Sequence, residues 1–181
     1  MKRFLLVLMV AAVAAIGFGG VAASASANKL QTFGTGTVTI TGADSATIVL
    51  SASDEYGGVY LNSKSQSAKP LNAVHVSFVS TSDVTGGAPR FSIPIDTDGV
   101  GGTVEGYAFL DAAGCGGASG VATTVSTSSS VCHVNFMGAD YANWAAFADA
   151  NPTYRIAPGA IPFIIADGSI GSYAVESIDL R

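Results

Sequence analysis

The most chemically specific residues of the chain are Asp96 and Asp98, in the run Asp96-Thr97-Asp98-Gly99-Val100-Gly101-Gly102-Thr103. Carboxylates two positions apart in a glycine-bent loop can aim at one centre, and the glycines let backbone carbonyls turn toward it. Hard divalent cations take such oxygen ligands at about 2.3–2.6 Å. Asp96, Asp98 and Glu105 form the expected metal set, with calcium the expected ion; Asp111 and Asp83 are further candidate donors. The competing reading of the same residues is an Asp-Gly hairpin turn between strands at 91–95 and 103–110.

Cys115 and Cys132 are the only cysteines, and they lack CxxC spacing. A disulfide between them would close a loop of 16 intervening residues rich in Gly, Ser and Thr. The histidines, His75 and His133, stand apart in the sequence, and His133 follows Cys132 on what alternation makes the opposite face. Neither a G-x-S-x-G elbow nor an HExxH pair occurs. Glu105 with Asp96 or Asp98, and Glu176 with Asp179, are the nominal carboxylate pairs for glycoside hydrolysis, but neither lies in an aromatic-rich stretch. No catalytic residue is therefore assigned.

Sugars stack on exposed aromatic rings. Tyr56, in the polar turn-like stretch Asp54-Glu55-Tyr56-Gly57-Gly58, is one candidate. Tyr60 is a second, and Tyr107, which alternates with Glu105 and Phe109, is a third. Tyr141, Trp144 and Tyr154 are the remaining polar aromatics considered, with Trp144 expected to anchor a helix through its apolar body.

These groups must be positioned by strands, because period-two alternation dominates. Strands are expected at 37–41, 47–51, 59–61, 73–80, 91–95, 103–110, 121–126, 131–137, 154–156, 163–166 and 173–180. The 47–51 and 59–61 strands are expected to pair across a turn at Gly57-Gly58. Pro94 marks the 91–95 strand as an edge or a bulge. One helix is expected over 140–150, capped by Asp140 and stopped by Pro152. About ten short strands with Gly-rich turns predict an all-β antiparallel sandwich or jelly roll, with a closed barrel second.

Residues 1–27 read as a secretory signal peptide: Lys2 and Arg3, an apolar run over 4–16, and the small-x-small site Ala25-Ser26-Ala27. Residues 28–181 then form a single extracellular domain without a transmembrane anchor, released or held non-covalently at the cell surface. Of the 181 residues, 49% are hydrophobic and 12% charged, with a formal net charge of −5. Eight basic residues offer phosphates no positive surface, which argues against nucleic acid as a partner. Abundant apolar residues argue against disorder.

The run from Asp96 to Gly101 resembles the D-x-D-G-x-G start of calcium loops in EF-hand, dockerin and thrombospondin type 3 repeats. Asp96 and Asp98 match the first two acidic ligands and Gly101 the turn glycine, while Val100 and Tyr107 replace the later acidic ligands. The stretches 89–110, 162–167 and 173–180 resemble secreted bacterial β-sandwich proteins of unassigned activity and, in general shape, jelly-roll carbohydrate-binding modules. That resemblance implies a non-catalytic module for a glycan or another extracellular ligand, with a structural calcium ion. A self-associating structural or adhesion subunit and a secreted hydrolase are the alternatives. Ligand identity and oligomeric state stay open.

Overall fold

An alternating strand has one face to bury, and two sheets can bury those faces against each other. The computed structural model describes residues 30–61, 67–99 and 102–180. The expected leader lies outside them, as do Val100 and Gly101 of the acidic loop.

The described strands are β1 (Leu30–Gly34), β2 (Thr37–Gly42), β3 (Ser45–Leu50), β4 (Tyr56–Leu61), β5 (Val76–Ser80), β6 (Arg90–Asp96) and β7 (Gly106–Asp111). They continue with β8 (Thr123–Ser126), β9 (Val134–Phe136), β10 (Ala139–Tyr141), β11 (Arg155–Ile156), β12 (Phe163–Asp167) and β13 (Gly171–Leu180). One helix, α1 (Trp144–Ala150), stands between β10 and β11. The larger sheet runs β1-β4-β12-β6-β7-β9-β10, with β11 also paired to β6, and the smaller runs β2-β3-β13-β5-β8. The pairings are antiparallel, so the chain is an all-β sandwich, compatible with a jelly roll.

The sheets meet over a core of alternating side chains. Ile48 and Leu50 on β3, Phe78 on β5, and Tyr173 and Val175 on β13 are buried from the smaller sheet. Val59 on β4, Phe91, Ile93 and Ile95 on β6, and Ile164 on β12 are buried from the larger. The Phe78 and Phe91 rings meet edge to face across the gap, with centroids 4.9 Å apart.

Three local expectations are corrected. The 47–51 and 59–61 segments do not pair: β3 and β4 belong to different sheets, and Gly57-Gly58 lies inside β4. Gly58 is there because a Cβ would fall 2.2 Å from the Ile164 carbonyl oxygen and 2.4 Å from the Phe33 ring. Pro94 does not mark an edge, since β6 is interior. It falls between the β12 pairing, which reaches Ser92, and the β11 pairing, which begins at Ile95. There its carbonyl accepts from Ala157 N–H at 3.0 Å, and the absent proline N–H faces a gap in the ladder. The helix begins at Trp144, because residues 139–141 form β10. Its N-cap is Asn143, whose side chain accepts from Ala146 N–H at 2.9 Å.

Candidate functional site

The outer face of the larger sheet carries an unusual row of side chains. Cross-strand register places Gln31, Tyr60, Phe163, Ser92, Phe109 and Asn135 side by side across six strands. The next row holds Phe33, Gly58, Ile165, Arg90 and Asp111. Pro94 and Tyr107 form a neighbouring pair.

The rings of these rows touch. Phe33 lies 4.4 Å from Tyr60 and 5.4 Å from Phe163, centroid to centroid. Phe163 in turn lies 5.6 Å from Tyr60 and 5.7 Å from Tyr107. Tyr107 remains 39% exposed. Phe33, Tyr60 and Phe163 are partly buried and Tyr107 exposed, so the row offers a surface on which a flat apolar face can lie. A groove of about 350 Å³ opens there, between Gln31, Tyr60, Phe163, Pro94 and Tyr107 on the sheet and the 159–161 segment beside it.

The acidic loop adjoins this groove on the same face. Along β6 the outward positions are Ser92, Pro94 and Asp96; the same alternation along β7 gives Tyr107 and Phe109, and Glu105 directly precedes the strand, its N–H donating to the Ile95 carbonyl at 2.9 Å. β6 and β7 are antiparallel, so Asp96, the last residue of β6, and Glu105, just before β7, stand at the same end of the strand pair. Ligand atoms of Asp96, Asp98 and Glu105 lie within 4.8 Å of one another. Asp96 is fully buried while Asp98 and Glu105 are exposed.

The hydrogen bonds of this loop serve the turn, as the hairpin reading expects, and still leave a donor over. Asp96 Oδ1 accepts from Gly99 N–H at 2.6 Å, and Gly99 takes the positive φ of 71° that this turn requires. Glu105 Oε2 accepts from Thr97 N–H at 2.7 Å and from the Thr97 hydroxyl. Asp96 Oδ2 is buried and has no hydrogen-bond partner. A carboxylate oxygen in that state is costly unless something positive meets it. Arg155 stands opposite Asp96 on β11, and its guanidinium packs against Gly99.

The residues fit a metal ion: three carboxylates converge, one oxygen is buried and unsatisfied, and the donors are all oxygen. An all-oxygen carboxylate set suits hard cations and not thiolate- or imidazole-loving metals. Asp83 and Asp111 do not join the cluster. Asp83 Oδ2 accepts from Ser172 N–H on β13 of the smaller sheet, and Asp111 Oδ1 accepts from Gly114 N–H at the far end of β7.

Among the aromatic candidates, Tyr60 and Tyr107 are brought together through Phe163, which the sequence reading did not single out, nor did it name Phe33. Their signal was the outward alternation of β1 and β12. Tyr56 is exposed at the start of β4, opposite Asp167 and one row beyond the contacting rings. Trp144 is buried against Phe147, and Tyr141 and Tyr154 also pack on Phe147. His75 is exposed just before β5, beside Ser77, Ser126 and Asp179 in a depression of about 260 Å³; His133 is exposed just before β9.

Cys115 and Cys132 are joined in a disulfide. Among the described residues no helix is long and apolar enough to cross a membrane. The disulfide is compatible with an extracellular location. No protein-family model, curated protein or solved structure matches the chain.

Proposed function

We propose that the protein is a secreted, non-catalytic binding module that takes a glycan on the outer face of its larger sheet, with a calcium ion held by Asp96, Asp98 and Glu105. The observation that carries this reading is the contacting row Phe33–Tyr60–Phe163–Tyr107 on a solvent-facing sheet surface. Sugar rings present flat C–H faces to such rings, and Gln31 offers an amide that can exchange hydrogen bonds with hydroxyls. The buried, unpartnered Asp96 oxygen supports the ion, and oxygen-only donors together with an extracellular setting favour calcium over softer metals. The disulfide supports export.

Affinity electrophoresis through gels containing soluble polysaccharides tests the glycan reading. Retardation of residues 28–181 on at least one polysaccharide, lost in both Tyr60→Ala and Tyr107→Ala, is expected. Retardation that both variants keep would place binding elsewhere.

A further inference from the structure

Building on the calcium-and-glycan reading above, we infer that the ion is the polar half of the glycan site: it lies at the end of the aromatic groove and takes two neighbouring hydroxyls of a neutral sugar as ligands.

Placement is the first ground. Asp96 is two residues beyond Pro94 on β6, and Glu105, just before β7, is two before Tyr107, at the same end of the strand pair. Two residues along a strand span about 6.6 Å. An ion at the carboxylates is therefore one short step from a ring lying on Tyr107. The loop also touches the groove wall from the side, since a Cβ on Gly102 would meet Pro158 at 3.3 Å and residues 159–161 line the groove.

Coordination is the second ground. Asp96 is buried, while Asp98 and Glu105 are exposed to solvent. Calcium takes roughly six to eight oxygens. Glu105 Oε2 already accepts from Thr97 twice. Three carboxylates thus leave positions on the solvent side, and adjacent hydroxyls fill two of them at once.

Charge is the third ground, and it selects the sugar class. A uronate would add an uncompensated negative charge to a protein already at −5, whereas a neutral diol adds none. Because coupling is reciprocal, the ion must strengthen sugar binding and the sugar must strengthen ion binding.

Gel retardation on neutral mannan, xylan and mixed-linkage β-glucan and on polygalacturonate, each in 1 mM calcium chloride and in EDTA, tests this for the wild type and Asp98→Asn. The expected result is retardation on a neutral gel that falls about tenfold in affinity in EDTA and in Asp98→Asn. Retardation on a neutral gel that ignores both EDTA and Asp98→Asn would overturn the ion's role while leaving the aromatic platform standing. Retardation on polygalacturonate alone would overturn the neutral-diol assignment. Retardation on none of the gels would overturn the glycan reading and this inference with it.

Discussion

Asp96 and Arg155 are register partners on β6 and β11, and each buries a polar atom, Oδ2 and Nε, that no hydrogen bond satisfies. Opposite charges placed side by side would ordinarily satisfy each other through such atoms. Here the guanidinium instead packs on Gly99, and the carboxylate turns one oxygen to Gly99 N–H. Asp96 is therefore buried within the acidic cluster with its second oxygen unbonded, as the proposed ion site requires.

Gly58 lies beneath the Phe33 ring and against the Ile164 carbonyl, with no room for a methyl group. Gly58→Ala is expected to destabilise the fold by about 1–3 kcal/mol, as overpacking does, and to lift Phe33 off the aromatic row. Urea unfolding checks the first effect, and polysaccharide gel retardation below the unfolding transition checks the second. An alanine variant of wild-type stability and retention would contradict the packing described.

Trp144 is the anchor of α1. Its indole N–H donates to the Leu71 carbonyl at 2.8 Å in a buried setting. Trp144→Phe is expected to cost about 0.5–1.5 kcal/mol, the net worth of one buried hydrogen bond, since the Leu71 oxygen keeps its bond from Val74 N–H at 3.2 Å. It should leave polysaccharide retention unchanged, since the helix is not on the aromatic face. Denaturant unfolding and gel retardation together decide this.

The pairing of strands and the position of the aromatic row show what a sequence discloses and what it withholds. Alternation placed the segments of β2, β6, β12 and β13 to within a residue or two, because each buries one face. β10 was missed because three residues, Ala139–Tyr141, carry no period, and the helix was extended over them. Gly57-Gly58 was read as a turn because glycine doublets usually are; here tight strand packing demands them. The convergence of Asp96, Asp98 and Glu105 was visible, since hairpin geometry brings the two ends of a loop together. The partners Phe163 and Phe33 were not, because they reach Tyr60 across sheet pairings of distant segments.

The Cys115–Cys132 disulfide, with a sequence separation of 17, closes the Gly- and Ser-rich loop that leads from β7 through β8 toward β9. Chain-entropy reasoning assigns such a loop about 3 kcal/mol. Reduction with dithiothreitol is expected to lower Tm by about 6–12 °C for a domain of this size, and calorimetry with and without reductant measures it. An unchanged Tm with both thiols shown to be free would contradict this.

The claim on which the rest most depends is that the outer face of the larger sheet ends in a calcium site. Its most direct test is thermal unfolding of residues 28–181 in EDTA and in calcium, for the wild type and for Asp96→Asn. At a calcium concentration one hundred times Kd, a native-state site adds about 2.7 kcal/mol. The account predicts a rise of about 5–10 °C for the wild type and none for Asp96→Asn. A wild-type Tm identical in calcium and EDTA would contradict it and reduce residues 96–105 to a hairpin turn.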